Sequence, residues 1–344
     1  MTDNSSISLS YKASCNKLIK AVQHAVDVRG IRKATDDSWD YYLPCSYKKC
    51  ESNVLEFKNK KTGKKIFMID GCDSVASKAT LWSLIKKKFG ARANLIMPET
   101  FILSSKKDRK RFMEFFRKRK QENMNSKFIL KNAKQRQEGL KLADKLSTVF
   151  GSIKDGFTLV QDFLENPYIL SGRKVNLRYY LLITCHKGKI KGYLYNNGFV
   201  YYTPKLFRKY SMDFKRTITT GYIDRIVYEQ NPLTTQEFRA HLGPVRVQKF
   251  DKSVNIKMKK VMKALSAKIC SNKELDHHMK FQVFGADIAP DENLNVRIME
   301  INKGPDLGFK DKKDENLKKN MVINIFKVIE GERTSQFVKI YPSK

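Results

Sequence analysis

The feature that constrains this chain most is a pair of apolar segments near its end that has the pattern of a β-hairpin. The segments span residues 281–289 and 295–302, and the acidic turn 290–293 joins them. Because successive side chains of a strand alternate between its faces, Glu300 and Asn302 point to the same side. Their neighbours are mostly Val, Ile and Met. A strand of that composition has no structural need for a carboxylate and a carboxamide in register.

Asp287, on the first strand of the hairpin, supplies a third oxygen donor that can reach Glu300 and Asn302. Three hard oxygen donors at one place are what Mg2+ requires when it bridges nucleotide phosphates. The sequence therefore predicts a magnesium site at Asp287, Glu300 and Asn302. These residues alone leave one alternative open, which is the solvent-exposed polar face of an edge hairpin.

Two basic segments upstream favour the metal site. Lys131 ends an apolar strand, and the polar loop 132–139 that follows offers backbone N–H groups and cations to phosphates. The segment 171–178 contributes three cations near the start of another strand: Arg173, Lys174 and Arg178. Cations from two segments and acidic ligands from a third describe a triphosphate site with a metal, although no G-x4-G-K-[ST] loop is present.

Hydrophobic periodicity predicts an α+β protein with antiparallel sheets rather than a repeating βαβ chain. The predicted strands include 65–71, 128–131, 158–164, 176–184 and 191–203, and the predicted helices are 77–91, 105–122, 138–146 and 254–269. Asn196, Asn197 and Gly198 form a turn signal. Repeats and low-complexity linkers are absent from the sequence, so changes of periodicity divide it into units 1–66, 67–165 and 166–344.

The charge of the chain points to its partners. There are 68 Lys and Arg against 35 Asp and Glu, which gives a net charge of +33. Nucleic acid, an anionic membrane surface or an acidic protein would each suit it. A hydrophobic content of 41% excludes intrinsic disorder. No apolar run reaches the roughly 18 residues of a membrane span, so we expect a soluble, cytoplasmic protein without membrane association.

The six cysteines are scattered without the spacing of a disulfide framework. Cys45 and Cys50 form the one close pair, and no histidine lies near them in sequence, so a zinc site there is weakly supported. The pattern predicts reduced thiols in an intracellular protein.

The order of these motifs resembles the tubulin–tyrosine ligase-like family of ATP-grasp amide ligases. The matching segments are 72–82, 97–103, 128–140, 159–184, 193–203 and 281–307. The resemblance covers about residues 67 to 310, and the hairpin ending in M-E-I-N-x-x-P is its most specific part. It implies an ATP-grasp fold, in which antiparallel sheets of a central and a C-terminal domain sandwich ATP and a small N-terminal domain precedes them.

Position by position, the resemblance implies three groups of site residues. The nucleotide-binding group comprises phosphate contacts, a hinge that reads adenine and the threonine of an L-T-N stretch: Lys131, Arg136, Gln161, Asp162, Phe163, Leu164, Lys174 and Thr219. The catalytic group comprises cations near the transferred phosphoryl and one carboxylate: Arg173, Lys174, Arg178 and Glu300. The metal group is again the hairpin set: Asp287, Glu300 and Asn302.

The activity that the resemblance implies is the activation of a carboxylate by ATP and Mg2+. The γ-phosphoryl group of ATP passes to a carboxylate of an acidic protein tail, most simply that of tubulin, and gives an acylphosphate and ADP. The amine of a free amino acid (tyrosine, glutamate or glycine) then forms a peptide or isopeptide bond. A glutamate-rich tail suits a strongly basic enzyme. We expect a monomer.

Three positions depart from the family pattern. Asn176 replaces the aspartate of F-D-I-R, Asn196 the arginine of Y-R-E-G, and Thr220 the asparagine of L-T-N. Loss of a cation at the transferred phosphoryl should be costly unless Arg173, Arg178 or a lysine substitutes. Two alternatives therefore stay open: a nucleic-acid-binding protein that uses its basic surface, and a weakly active ATP-binding pseudoenzyme that grips acidic partners. The nucleotidyltransferase signature K-x-D-G is absent.

Overall fold

The computed structural model describes residues 9–122, 127–132, 139–221 and 223–342. Its helices are α1 (Lys20–Val28), α2 (Cys50–Leu55), α3 (Cys72–Ala76), α4 (Lys78–Phe89), α5 (Lys106–Gln121), α6 (Leu146–Gly151), α7 (Phe214–Thr217), α8 (Val227–Gln230), α9 (Thr235–Leu265) and α10 (Lys312–Glu330). Helix α9 contains a kink at Gly243 and Pro244, where the backbone of Gly243 is not helical. None of the helices in these ranges is long and apolar enough to cross a membrane.

Fourteen strands in the same ranges form two sheets. The strands are β1 (Ser10–Ala13), β2 (Arg32–Lys33), β3 (Tyr41–Leu43), β4 (Lys65–Ile66), β5 (Thr100–Ile102), β6 (Phe128–Lys131), β7 (Leu140–Ala143), β8 (Leu159–Asp162), β9 (Ile169–Leu170), β10 (Arg173–His186), β11 (Lys189–Tyr202), β12 (Met279–Pro290), β13 (Val296–Asn302) and β14 (Phe337–Tyr341). The smaller sheet has the order β5-β8-β6-β7. The larger has the order β14-β11-β10-β12-β4-β3-β1-β2, with β13 beside β12 and β9 beside β10.

The predicted α+β class with antiparallel sheets is confirmed. Every pairing in the smaller sheet is antiparallel, and so are the pairings among β9 to β14. The N-terminal strands add parallel pairs through β12–β4, β4–β3, β3–β1 and β1–β2. Strands from the first 66 residues thus extend the sheet of the C-terminal half, and the division at residues 66 and 165 stays a prediction.

Helices cover both faces of the larger sheet. On one face, α4 and α9 bury Trp82, Val254 and Met258 against odd-numbered residues of β10 such as Leu177. The other face has a core formed mainly by α1 and α10. The basic helix α5 covers the smaller sheet with its phenylalanines. That helix has the apolar stripe and cationic outer face that its sequence predicts.

Two local predictions are wrong. Within the predicted helix 138–146, residues Leu140–Ala143 form β7, because pairing with β6 satisfies their backbone groups along the whole ladder. Asn196, Asn197 and Gly198 lie inside β11 instead of forming a turn. Asn196 and Asn197 belong to a β-bulge opposite Tyr180, where polar residues can leave the regular ladder, and Gly198 pairs with Tyr179.

The expectation of reduced thiols is also wrong for four cysteines. Disulfides join Cys15 to Cys45 and Cys185 to Cys270, with Cα–Cα distances of 6.0 and 6.2 Å. The partners are 30 and 85 residues apart, so only the fold brings them together. The pairing also removes Cys45 from any zinc site with Cys50, which is a free and buried thiol like Cys72.

Candidate active site

A cavity of about 470 Å³ lies between the two sheets. The smaller sheet contributes Ile129, Lys131 and Leu140, and the larger contributes side chains from β10 to β13. Its charged lining residues are seven cations (Lys78, Lys131, Lys174, Arg178, Arg225, Lys310, Lys318) and four carboxylates (Asp287, Glu300, Asp306, Asp314). The excess of cations suits a polyanionic ligand.

Strand β10 presents alternate residues to this cavity. Lys174, Asn176 and Arg178 line it, because residues two apart on a strand share a face. Arg173 belongs to the opposite face, so it does not join the cations with which the sequence grouped it. Its guanidinium donates hydrogen bonds to the carbonyls of Thr203 and Pro204 at 2.8 and 2.6 Å. The alternation alone would have separated it from Lys174.

Arg178 and Asp287 form a bidentate ion pair across neighbouring strands. The two residues are directly opposite in the β10–β12 ladder. Nε of Arg178 lies 2.5 Å from Oδ1 of Asp287, and Nη2 lies 2.8 Å from Oδ2. Burial opposes the charge of Arg178, but Asp287 outweighs it and raises the pKa of the guanidinium well above its usual value. Arg178 therefore provides a fixed cation in the wall of the cavity.

Glu300 lies opposite Asp287 in the β12–β13 ladder. Its Oε1 accepts a hydrogen bond of 3.1 Å from Asn302, and its Oε2 is 3.6 Å from Nζ of Lys78. Burial would raise the pKa of Glu300, but Lys78 and Lys131 outweigh it and lower the pKa. Two carboxylates and a carboxamide at one point of the hairpin are a donor set that fits Mg2+.

Lys131 and Lys174 are buried cations with lowered pKa values. Nζ of Lys131 donates to the carbonyl of Met299, and Nζ of Lys174 to that of Thr217, each at 3.2 Å. Burial lowers the pKa of Lys131 to about 8, and burial together with Lys127 and Lys131 lowers that of Lys174 to about 7. A phosphate in the cavity would favour the protonated form of both.

The side chains of the first two predicted hinge residues lie away from the cavity. Gln161 is buried and donates to Oγ1 of Thr100 at 2.9 Å. Asp162 lies 3.0 Å from Arg119, and burial raises its pKa to about 7. Neither side chain lines the cavity. Their backbone role with adenine stays a prediction.

Phe163 and Leu164 support the cavity wall from behind. Phe163 packs with Ile129 and Ile218, which line the cavity, and its ring centroid is 4.4 Å from Nζ of Lys174. Leu164 packs against Met299, another lining residue. Both residues thus support the apolar part of the cavity wall by packing against residues that line it.

The remaining predicted residues are placed as follows. Thr219 and Thr220 both line the cavity. Arg136 lies outside the described residues. Asn176 lines the cavity, and its buried Oδ1 has no hydrogen-bond partner among the described residues. Asn196 is not among the lining residues, and its Nδ2 donates to the carbonyl of Ser335.

Sequence reasoning missed several lining residues. Lys78 is the first residue of α4, and periodicity located that helix without showing what its start would face. Lys318 and Asp314 form a buried pair at 2.9 Å on the inward side of α10. A Lys and an Asp four apart on the apolar face of a helix are unusual, and that signal could have been used. Arg225, Asp306 and Lys310 come from loops, where no periodicity exists.

Comparisons with known proteins agree with the resemblance. The profile of the Tubulin-tyrosine ligase family matches residues 57–336. A probable tubulin polyglutamylase TTLL9 of Rattus norvegicus is 26% identical over 184 residues, covering 51% of this chain and 39% of the relative. A probable alpha-tubulin polyglutamylase Ttll1 of Tetrahymena thermophila is 26% identical over 259 residues, covering 68% and 60%.

A tubulin monoglutamylase TTLL4 of Mus musculus is 25% identical over 296 residues, which cover 77% of this chain and 23% of the relative. The chain therefore spans less than two thirds of the length of each of these relatives. The profile match, by contrast, includes every strand and helix that builds the cavity. This chain belongs to the tubulin-tyrosine ligase family.

Proposed function

We propose that this protein is an ATP- and Mg2+-dependent ligase that adds an amino acid to a carboxylate of an acidic protein tail, with tubulin as the acceptor. The observation that carries the proposal is that the hairpin carboxylates and the cations Lys131, Lys174 and Arg178 line one cavity. The names of the relatives, which describe tubulin polyglutamylases and a monoglutamylase, support it. Such an enzyme would act in the cytoplasm and, we propose, as a monomer.

The cavity residues divide the work of phosphoryl transfer between them. Lys131 and Lys174 bind phosphate oxygens of ATP, and Arg178 neutralises charge at the group that is transferred. Asp287, Glu300 and Asn302 would hold Mg2+, which offsets the phosphate charge when it is bound. The acceptor carboxylate takes the γ-phosphoryl group, and the amine of the amino acid then displaces phosphate. The protein contributes positioning and electrostatics and forms no covalent bond.

The position of Asn196 supports an active enzyme over a pseudoenzyme. Its side chain lies on the bulge near Ser335 and not in the cavity. The substitution of the family arginine therefore leaves no gap among the cations that do line the cavity. Arg225, Lys310 and Lys318 also line the cavity, and their charge suits an acidic acceptor.

The test is intact-mass analysis of purified tubulin after incubation with the protein, Mg-ATP and single amino acids. We expect an ATP-dependent mass increase with one of tyrosine, glutamate and glycine, which identifies the substrate. Glu300→Gln should lose this activity, and its matched control is Glu292→Gln, the same change in the exposed turn of the same hairpin, which should retain it. No increase with any amino acid, while an ATP analogue still binds, would refute the ligase and favour the pseudoenzyme.

A further inference from the structure

The straight part of helix α9, residues 244–265, carries a cationic stripe on its outer side. Six residues spaced alternately four and three apart are exposed, and they define the α9 stripe: Val245, Lys249, Lys252, Ile256, Lys259 and Lys263. This spacing places them in one row along the helix. From Lys249 to Lys263 the row is roughly 21 Å long at about 1.5 Å per residue.

The lysines of the stripe have no ion-pair partner among the residues that the structure describes. Asp251 is the one acidic residue in 244–265, and Arg239 holds it at 2.8 Å. Helix α10 is different, because Glu315 there pairs with both Lys312 and Lys319. Unpaired lysines in a row repel one another, so the α9 stripe has a field that a partner can neutralise.

The field extends onto the end of helix α4, which packs beside α9. Lys260 of α9 lies 5.9 Å from the ring centroid of Phe89 of α4. Three further exposed cations follow at that end of α4, which are Lys87, Lys88 and Arg92. The surface is rigid, because the inner side of α9 is anchored in the core of the larger sheet.

The chemistry of the stripe favours an acidic polypeptide over a nucleic acid. Val245 is 79% exposed and Ile256 is 40% exposed, so each aliphatic residue of the row is followed by two lysines. Aliphatic side chains suit the side chains of a peptide, whereas binding of single-stranded nucleic acid relies on exposed aromatic platforms. The α9 stripe contains no aromatic residue.

We propose that the α9 stripe docks an acidic polypeptide segment of the acceptor protein, at a place separate from the catalytic cavity. The cavity lies on the face of the larger sheet opposite to α9, so one acceptor can occupy both places only through two different segments. Docking of this kind raises the local concentration of the reactive tail. The identification of the partner as the acceptor rests on the proposed function. The binding of an acidic polypeptide to the charged surface does not depend on it.

The first test measures binding of a fluorescent glutamate-rich peptide without ATP. The stripe variant combines Lys252→Glu, Lys259→Glu and Lys263→Glu. The matched control makes the same change at three exposed lysines near the other end of the larger sheet, Lys17→Glu, Lys20→Glu and Lys33→Glu. We expect about a tenfold or greater loss of affinity in the stripe variant and about twofold or less in the control. Equal losses in both variants would overturn the proposal.

A single-stranded RNA of equal charge is the second probe. If the stripe variant loses RNA binding but binds the peptide as the control does, the surface binds nucleic acid and the proposal is wrong. Coincident thermal unfolding curves show that the variants are folded. Should the triple reversal unfold the protein, Lys252→Gln, Lys259→Gln and Lys263→Gln must still weaken peptide binding.

Kinetics separate this inference from the proposed function. With tubulin as the acceptor, the stripe variant should show a raised KM and an unchanged kcat, because the residues do not touch the cavity. An unchanged KM would contradict docking of the acceptor. If no turnover exists at all, the peptide measurement still tests the stripe, and only the ligase proposal fails.

Discussion

The two faces of strand β10 carry side chains of opposite kinds. Lys174 and Arg178 face the cavity, whereas Val175 and Leu177, between them in sequence, face the core beneath α9. The cavity face holds buried charges with shifted pKa values, and the core face is fully apolar at these positions. One strand can therefore present binding residues on one face and core residues on the other. Substitutions on the cavity face should lower activity or nucleotide affinity, and substitutions on the core face should lower the free energy of unfolding.

The largest effect is expected from Glu300→Gln on the cavity face. Loss of the ionised ligand should reduce turnover by about a thousandfold, because metal and phosphate charge would be left uncompensated. The thermal midpoint should change little, since the neutral side chain keeps its shape and can still bond Asn302. The measurement is the rate of amino-acid incorporation alongside a thermal melt. Full activity in Glu300→Gln would remove the metal assignment.

The core face should respond the other way to Leu177→Ala. The side chain is fully buried, so its truncation should lower the free energy of unfolding by about 2–5 kcal/mol. Urea titration measures the change. Nucleotide affinity of the folded fraction should stay within about twofold of the parent, since Leu177 does not line the cavity. A large loss of affinity would show that the two faces are coupled.

The pH dependence of the cavity lysines provides a test with two opposite signs. Lys174, with a pKa of about 7, and Lys131, with a pKa of about 8, must be protonated to bind phosphate. Nucleotide affinity should therefore fall by up to about tenfold per pH unit for each lysine above these values. Isothermal titration between pH 7 and pH 9 measures this.

The stability of the nucleotide-free protein should move in the other direction. Both folded-state pKa values lie below the ordinary value of 10.5, so the unfolded chain binds more protons in this window. The free energy of unfolding should then rise with pH from about 7 towards 10 as the penalty for burying charge disappears. Lys174→Met should flatten both slopes. If nucleotide affinity and the free energy of unfolding changed with pH in the same direction, the lowered pKa values of Lys131 and Lys174 would be contradicted.

A smaller effect is expected at Gly285, which lies beside the guanidinium of Arg178. A Cβ at this position would come within 3.1 Å of Cδ and 3.2 Å of Nη1 of Arg178. Gly285→Ala should displace the arginine by a few tenths of an ångström and lower kcat by about fivefold. Gly151→Ala is the matched control, because nothing lies within 4 Å of its added methyl group. Equal kcat values in the two variants would contradict this prediction.

The smallest effect should come from Arg173→Gln. Arg173 bonds carbonyls on the far side of β10, so nucleotide affinity should change by less than about twofold. Lys174→Gln, one residue away, should reduce it by about tenfold or more. Titration calorimetry on the pair decides the matter. A comparable loss of nucleotide affinity in both variants would contradict the assignment of Arg173 and Lys174 to opposite faces of β10.

The sequence predicts most of what lies in regular strands. Alternation in the hairpin identifies Asp287, Glu300 and Asn302, and the structure places all three in the cavity. The same rule places Arg173 on the face opposite to Lys174, although both are cations of one basic segment. The segment Leu140–Ala143 has only four residues, LKLA, which are too few to show a strand period, and nothing in them indicates the ladder that β6 offers.

Other features depend on contacts between distant parts of the chain. The role of Lys78 follows from where α4 begins relative to β13, and Asn196 bonds the carbonyl of Ser335, which is 139 residues away in sequence. The disulfide partners of Cys15 and Cys185 are likewise set by the fold. Local sequence patterns carry no information about such distances.

The continuity of the larger sheet has a practical consequence for recombinant work. The family profile begins at residue 57, but strand pairing begins at Ser10. A fragment cut at the family boundary would lose β1 to β3, leave β4 as an open edge and uncover Phe326, whose ring packs 5.3 Å from that of Tyr41. We expect such a fragment to aggregate. The larger sheet therefore extends beyond the residues that the family profile matches.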